Sequence, residues 1–201
     1  MKALIFDCDG VLVDTERDGH RVAFNRAFAA AGIDAEWSVD EYGELLKIAG
    51  GKERMTHYFT KNGWPNGKTA ETLIPELHKR KTAIFTDLIA KGSLPLRPGI
   101  SRIIDEAHAA GVRLGVCTTS DPKAIDGVLD LFGAQRKKWF EIVLAGDIVK
   151  KKKPDPEIYN LAKQKLGLDG KDCVVVEDSR NGLLASLGAG MPTLITTSTY
   201  T

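Results

Sequence analysis

The chain has 201 residues, of which 43% are hydrophobic and 27% charged, with a formal net charge of +1 at pH 7. This charge balance lacks the basic excess typical of proteins that bind nucleic acid or an anionic membrane surface, so we predict neither partner. No apolar run approaches the roughly 20 residues needed to span a bilayer, and a strand-like run begins almost at the first residue. We therefore expect no targeting peptide, any plastid transit peptide having been removed from the mature chain.

The length allows one compact domain, or a core with a smaller inserted domain, that buries about 70% of its surface. Three cysteines, Cys8, Cys117 and Cys173, lie in or beside predicted strands and show no CxxC spacing. We predict buried free thiols in a reducing compartment, in preference to a metal or redox site.

The first predicted element is a short apolar strand at residues 3–6, which ends at Asp7, Asp9 and Gly10. Side chains at positions i and i+2 of an extended segment point the same way, and a glycine permits a sharp turn beneath them. Two carboxylates on one side suit phosphoryl transfer, with Asp7 attacking phosphorus and Asp9 carrying the proton. The alternative is that Asp-x-Asp simply ends a strand in a turn.

Residues 16–92 show helical spacing and no strand pattern. A first helix is predicted over 22–31, a second opens at a Ser38/Glu41 capping pattern, and a third opens at Gly50–Gly51. A turn at Asn66–Gly67 precedes a last helix that ends at Gly92. This pattern predicts an all-helical domain, 16–92, inserted into a core formed by 1–15 and 93–201.

Residues 93–201 alternate between helix and strand patterns, with strands predicted at 112–117, 141–145, 173–176 and 193–196. Asp121–Pro122, Asp155–Pro156 and Ser179 are typical helix starts. Such alternation indicates a Rossmann-like α/β core, a parallel sheet with helices on both faces.

Polar residues follow each of the first four predicted strands, and ligands of such sheets bind beyond the carboxyl ends of the strands. The second strand leads into Thr118, Thr119 and Ser120, whose hydroxyl and N–H groups suit a phosphoryl oxygen, although hydroxyls before a helix are often only caps. The third leads to Lys153, a neutralising cation or a solvated loop lysine. The fourth ends in Glu177 and Asp178, hard-oxygen ligands for Mg²⁺ or a helix cap.

The order of these groups resembles the four motifs of the haloacid dehalogenase (HAD) superfamily over nearly the whole chain. The string DCDGVLVDT at 7–15 is similar to the first motif of that superfamily. The resemblance implies a HAD fold with Asp7 as nucleophile, Asp9 as acid/base, Thr118 as phosphate-holding hydroxyl and Lys153 as the neutralising cation. It implies these ligands for a Mg²⁺ cofactor: Asp7, Asp9 through its backbone, Glu177 and Asp178.

The helical insert resembles the cap that this superfamily closes over its substrate, so we expect residues of the insert to determine substrate selectivity. Gly50 and Gly51 open a helix that carries Lys52 and Arg54 in its first turn. Backbone N–H groups, helix dipole and cations together suit a second, non-reacting phosphate, which Lys81 could also contact. The alternative is a glycine turn followed by a solvated charged face.

Further strings, among them GGKERM at 50–55, LRPG at 96–99 and KKPDP at 152–156, resemble the CbbY branch of the superfamily, close to its plant and algal forms. This resemblance implies a Mg²⁺-dependent phosphatase that converts xylulose-1,5-bisphosphate, an inhibitory by-product of Rubisco, to xylulose 5-phosphate. Glu16, His20 and Tyr42 join the candidate substrate contacts, with packing roles as the alternative for His20 and Tyr42. Relatives generally continue beyond the position of Thr201.

Three rival functions share parts of this pattern: a beta-phosphoglucomutase-type mutase, a phosphoglycolate-type small phosphatase, and a non-enzymatic receiver-like phosphoacceptor. The proton-carrying Asp9 and the long helical insert argue against the receiver. We expect a monomer, located in the chloroplast stroma if the chain comes from a plant or alga and in the cytoplasm if it comes from a bacterium.

Overall fold

A computed structural model describes residues 1–201, apart from the side chain of Asn66. Its centre is a five-stranded parallel sheet in the order β3-β2-β1-β4-β5, which confirms the predicted α/β core. The strands are β1 Ala3–Phe6, β2 Arg113–Cys117, β3 Phe140–Leu144, β4 Cys173–Glu177 and β5 Thr193–Ile195. Each lies within one residue of its predicted bounds.

The described part of the chain has nine α-helices: α1 Arg21–Ala30, α2 Val39–Leu45, α3 Gly51–Asn62, α4 Ala70–Ala90, α5 Ile100–Ala109, α6 Pro122–Asp130, α7 Gly133–Lys137, α8 Glu157–Leu166 and α9 Arg180–Gly188. A wide helical turn at Glu16–His20 leads into α1, and the expected turn at Asn66–Gly67 falls in a 3₁₀ turn at Pro65–Gly67. The sequence did not predict α7. Because it is five residues long and has no buried side chain, it lacks an apolar face to detect.

Short polar side chains fix several helix starts where the sequence predicted them. Ser38 accepts a hydrogen bond from the Glu41 N–H, Asp121 from the Lys123 N–H and Ser179 from the Gly182 N–H. Each bond satisfies an N–H group that the first turn of a helix leaves without a partner. The caps at Asp121 and Ser179 fix where the helices that follow β2 and β4 begin.

Both faces of the sheet are covered, as strands rich in Val, Ile and Leu require. One face packs with α5 and α6 around Phe6 and Leu114, and the other packs with α8 and α9 around Ile5 and Val175. A third hydrophobic cluster, centred on the fully buried Trp37, lies within the helices between β1 and β2. That these helices form a separate domain bounded at 16 and 92 stays a prediction.

The three cysteines are buried and free. In the described chain, no helix combines the length and the apolar character needed to cross a membrane.

Candidate active site

The register of the central strands brings the predicted strand-end residues together. Phe6 of β1 lies opposite Val116 of β2 and Val176 of β4, so the chain segments that follow these residues leave the same edge of the sheet. The Asp7 N–H donates to the Val176 carbonyl at 2.9 Å, which carries the pairing one step beyond the strand. Asp7 therefore lies at the centre of this edge, between the ends of its two neighbouring strands.

Lys153 connects these strand ends. Its Nζ donates to Asp7 Oδ1 at 2.8 Å, to Glu177 Oε1 at 2.5 Å and to the Cys117 carbonyl at 2.9 Å. The ammonium thus uses all three of its protons on acceptors at the ends of β1, β4 and β2. Its side chain is 5% exposed, so Lys153 is a buried, fully hydrogen-bonded cation rather than a solvated loop lysine.

The acids around Lys153 exceed its single positive charge. Burial raises the pKa of Asp7 well above its ordinary value, against the attraction of Lys153, and burial raises the pKa of Asp178 to about 7. Burial also opposes the charge of Lys153, but Asp7 and Glu177 outweigh it and raise the pKa of this lysine. A further cation nearby would lower the pKa values of Asp7 and Asp178 again.

The donor set at this edge fits a divalent metal ion. Oxygen atoms of Asp7, Glu177 and Asp178 lie within 4.8 Å of one another, and carboxylate oxygen is the ligand that Mg²⁺ prefers. The Glu177 carboxylate also accepts from Lys153, the Tyr159 hydroxyl at 2.6 Å and Ser179 at 3.3 Å. Asp7 and Asp178 therefore have more free lone pairs to offer a metal than Glu177 has.

Asp9 is held in a different set of contacts, two residues beyond Asp7. Its carboxylate accepts from the hydroxyls of Thr15 and Ser120, and lies 2.8 Å from His20 Nε2. Burial opposes ionisation of Asp9, but His20 and the two hydroxyls outweigh it and lower the pKa of Asp9. Its contacts come from the segment after β1, from the helical insert and from the loop after β2, so Asp9 lies where core and insert meet.

His20 links Asp9 to Lys81 of α4. Lys81 Nζ lies 2.7 Å from His20 Nδ1, and the imidazole stacks on Phe85 with ring centroids 3.9 Å apart. Because an ammonium can only donate, Nδ1 must accept, so Nε2 carries the proton and donates to Asp9. Burial lowers the pKa of Lys81 to about 8.

Two cavities adjoin these residues. The larger, of about 740 Å³, is lined by Asp7, Asp9, Thr118, Thr119, Lys153 and Asp178, and it extends towards the helices of the insert. The Thr118 hydroxyl accepts from the Ser120 N–H at 3.1 Å. The catalytic candidates of all four motifs are therefore brought together around a volume that admits a small molecule.

The smaller cavity, of about 40 Å³, lies between core and insert. Its lining includes Gly50, Gly51, Arg54, His78, Lys81 and Ser120. Gly50 has a φ of +93° as it turns into α3, a conformation that favours glycine. Backbone at a helix start together with Arg54 and Lys81 suits an anion, although the lining also includes the carboxylates of Asp9, Glu16 and Asp121.

Lys52 is not placed with the other predicted cap residues. Its ammonium pairs with Asp147 on the outside of the molecule, its side chain is 40% exposed, and it lines neither of the two cavities. Lys52 and Arg54 are two residues apart on one helix, so they point in different directions. The interaction that holds Lys52 outside is an ion pair with the core, which no local pattern reveals.

Glu16, Tyr42 and Arg54 form one network at the insert side of the larger cavity. The Tyr42 hydroxyl donates to Glu16 at 2.5 Å and accepts from Arg54 at 2.9 Å, while Arg54 also donates to the carbonyl groups of α2 and the residues after it, Leu45 and Ile48. The Tyr42 side chain is fully buried, so it contributes packing as well as a hydrogen bond to this network.

Several residues at the site escaped the sequence reasoning. Tyr159 of α8 bonds Glu177, Ser198 donates to Asp178 at 2.7 Å, and His78 lines the smaller cavity. His78 lies three residues before Lys81, on the same face of α4, and this spacing was the available signal. Gly10 and Gly182 matter because a Cβ would collide with Asp178 and Glu177, respectively, a proximity that the sequence does not show.

Comparisons with known proteins agree with this geometry. A family profile described as haloacid dehalogenase-like hydrolase matches residues 1–190. The CBBY-like protein of Arabidopsis thaliana is 53% identical over 205 residues, which are 99% of this chain and 64% of that protein. This chain thus spans less than two thirds of the Arabidopsis relative.

Two solved structures of CbbY from Rhodobacter sphaeroides superpose with a TM-score of 0.92, and each comparison covers 100% of this chain and 88% of the other. One, 41% identical, is a complex with phosphate, and the other, a mutant 40% identical, is a complex with xylulose-1,5-bisphosphate. The resemblance to the CbbY branch is thereby confirmed. With its strand-end acids, its parallel sheet and its matched family profile, the chain belongs to the haloacid dehalogenase-like hydrolase family and is an enzyme.

Proposed function

We propose that this hydrolase is a Mg²⁺-dependent phosphatase that removes one phosphoryl group from a sugar bisphosphate, converting xylulose-1,5-bisphosphate to xylulose 5-phosphate. The observation that carries the proposal is that the protein has two different binding regions: the acidic end of the sheet around Asp7, and the smaller cavity with Arg54 and Lys81 in its lining. One end suits a metal-bound reacting phosphate and the other suits an anion that does not react. The structural similarity to a CbbY complex with xylulose-1,5-bisphosphate supports the same substrate.

In this proposal Asp7 is the nucleophile. One of its oxygens attacks phosphorus while the bond from phosphorus to the sugar oxygen breaks, giving an aspartyl-phosphate and xylulose 5-phosphate, whose freed oxygen takes up a proton. Lys153, 2.8 Å from Asp7, offsets the negative charge of the incoming phosphoryl group, and Thr118 holds one of its oxygens. The buried position of both charged groups strengthens their interaction, because little water screens it.

Asp9 is the proton carrier of the proposal. It gives a proton to the departing sugar oxygen, then takes one from the water that attacks the aspartyl-phosphate and releases inorganic phosphate. A neighbouring phosphate dianion raises the pKa of Asp9, so substrate binding favours the protonated form that the first step needs. The contacts of Asp9 with Thr15, Ser120 and His20 orient the carboxylate for this exchange.

The metal would be held by the carboxylates of Asp7 and Asp178 and the backbone carbonyl of Asp9, with Glu177 beside them. When bound, Mg²⁺ supplies positive charge that lets an anionic carboxylate approach an anionic phosphate. The raised pKa values of Asp7 and Asp178 in the free protein support this assignment.

Residues 16–92 act as the cap over the substrate. Glu16, His20 and Arg54 face the sugar and its second phosphate, together with the residues around the smaller cavity, Gly50, Gly51, His78 and Lys81. Tyr42, which is fully buried, holds Glu16 and Arg54 in place by its hydrogen bonds to both. A closed cap excludes water other than the attacking molecule, which favours transfer from Asp7 to that one water.

Incubating the purified protein with Mg²⁺ and a panel of sugar mono- and bisphosphates tests the proposal. We expect xylulose-1,5-bisphosphate to give the highest kcat/KM, with one inorganic phosphate released per xylulose 5-phosphate and many turnovers per chain. Excess EDTA should abolish the reaction, and Mg²⁺ should restore it.

The outcomes separate the rival functions. Interconversion of sugar phosphates without phosphate release would indicate a mutase, and preference for a small monophosphate would indicate a phosphoglycolate-type enzyme. One phosphoryl group bound per chain without turnover would indicate a receiver-like protein.

The proposal also extends to location. The greater identity with the plant relative than with the bacterial CbbY proteins, 53% against 41–42%, supports a plant or algal origin and so the chloroplast stroma. Antibody detection in purified stroma of the source organism tests this, and detection in the cytosol alone would contradict it.

A further inference from the structure

Residues 197–201, which we call the strap, cross from the end of the sheet to the helical insert. The Ser198 hydroxyl donates to Asp178 Oδ2 at 2.7 Å, and the Tyr200 hydroxyl donates to the Val39 carbonyl at the start of α2, at 3.3 Å. Between them, Thr199 donates to Asp14 at 3.3 Å. Within three residues the strap therefore contacts a candidate metal ligand of the core and a helix of the cap.

Arg97 anchors the beginning of the strap. One guanidinium nitrogen donates to the Gly10 carbonyl, in the loop that carries the catalytic aspartates, and another donates to the Thr197 carbonyl at 2.5 Å. The strap is thus tied at its start to the core, so its contacts with the insert are made from a fixed base.

The Tyr200 ring packs on the helix that carries Tyr42. The two tyrosine rings meet edge to face with centroids 5.9 Å apart, and a Cβ added at Gly43 would lie 3.2 Å from the Tyr200 ring. The absence of a side chain at Gly43 is what lets the ring approach α2 closely. Tyr200 also lines the larger cavity, on the side of the insert.

The contact reaches the substrate side of the site through Tyr42. Its hydroxyl joins Glu16 to Arg54, so a shift of α2 moves the hydrogen bonds of both residues. We infer that Tyr200 is a positioning residue: it docks α2 against the core and thereby sets Tyr42, Glu16 and Arg54 at the distance that a bisphosphate requires. The link to a bisphosphate rests on the proposed function, whereas the docking of α2 does not.

Hydrogen exchange of the ligand-free protein tests the docking directly. In Tyr200→Ala we expect the amides of Val39–Leu45 to exchange about tenfold faster, the size of effect that losing one aromatic contact allows, while β1 and β4 stay protected. Tyr200→Phe keeps the ring and should remain within about twofold of the original protein. Unchanged exchange of α2 in Tyr200→Ala overturns the inference, whatever the substrate of the enzyme is.

Kinetics of the same variants test the consequence for the reaction. For xylulose-1,5-bisphosphate we expect Tyr200→Ala to raise KM about tenfold with kcat changed less than about threefold. For p-nitrophenyl phosphate, which has no second phosphate, kcat/KM should stay within about twofold. An equal loss on both substrates with a lowered Tm would mean a merely structural role and would overturn the positioning role.

Tyr58→Ala is the matched control. Tyr58 belongs to the same aromatic cluster, 5.4 Å from Trp37, but lines neither of the two cavities. This variant should lower Tm without a selective rise in KM for the bisphosphate; a rise equal to that of Tyr200→Ala would count against the strap. If the original protein does not hydrolyse the bisphosphate, the proposed function fails and the exchange experiment still decides the docking of α2.

Discussion

The two sides of the site are built in different ways. On the sheet side, Asp7, Lys153 and Glu177 are set by strand register and by short hydrogen bonds between neighbouring strand ends. On the helical side, Arg54 and Lys81 are placed by contacts between separate elements of the insert, Arg54 with Tyr42 and Lys81 with His20. Backbone register tolerates little displacement, whereas a packed helix can shift as a unit. We therefore expect chemistry to be fixed on the first side and substrate choice on the second.

The two sides also differ in the sign of their buried charges. Burial raises the pKa of Asp178 to about 7 on the sheet side and lowers that of Lys81 to about 8 on the helical side. Each side thus carries buried charge that a ligand of the opposite sign would stabilise. The metal-bound phosphate and the non-reacting phosphate of the proposed function would satisfy one side each.

Replacing the proposed nucleophile should have the largest effect. Asp7→Asn keeps the shape of the side chain but removes the attacking carboxylate, so we expect kcat to fall by roughly 10³ or more. Phosphate release under saturating substrate measures this, and Asp18→Asn, a change at an exposed aspartate, should leave kcat within about twofold. A near-normal kcat in Asp7→Asn would remove Asp7 from its role.

Removing Lys153 should damage both activity and stability. Lys153→Met leaves Asp7 and Glu177 buried without their cation, so we expect a loss of about 3–5 kcal/mol in unfolding free energy. We also expect kcat to fall roughly 100-fold or more, because the charge facing the phosphoryl group is lost. Urea unfolding and kinetics measure the two effects. Lys151→Met, at an exposed lysine next to the same loop, should change neither.

Substitutions of cations on the helical side should change KM rather than kcat. Lys81→Met removes a buried cation from the smaller cavity, so KM for the bisphosphate should rise about 10- to 100-fold, as for one charge-assisted hydrogen bond. Lys52→Met, whose ammonium faces Asp147 outside, should raise KM less than about threefold. The opposite order of the two effects would place the second phosphate at Lys52.

The pH dependence should show the smallest effect. With a pKa of about 8, Lys81 loses its proton as the pH rises, so kcat/KM for the bisphosphate should fall roughly fivefold between pH 8 and pH 9. Lys81→Arg stays charged in this range and should flatten the alkaline limb. If kcat/KM of Lys81→Arg falls at alkaline pH as in the original protein, another group is responsible for the fall.

The strand ends were predictable because each polar group follows directly after an apolar run, and parallel strands bring such groups to one edge. The same reasoning gave the places of Gly50 and Gly51, since a glycine pair before a helical pattern marks its start. It could not separate Lys52 from Arg54, because the direction of each depends on partners about a hundred residues away in the chain or on another helix. It also passed over Tyr159 and Ser198, whose roles arise from contacts with Glu177 and Asp178 alone.

By itself, the sequence determined the α/β core, the order of the four strand-end groups and the family, because these depend on local periodicity and on residues within a few positions of each strand. The tertiary structure decided which cations line the two cavities, how Lys153 is shared between Asp7 and Glu177, and that Tyr200 packs on α2. Those contacts join residues far apart in the chain, and their energies come from burial and from the meeting of long side chains, which no single stretch of sequence encodes.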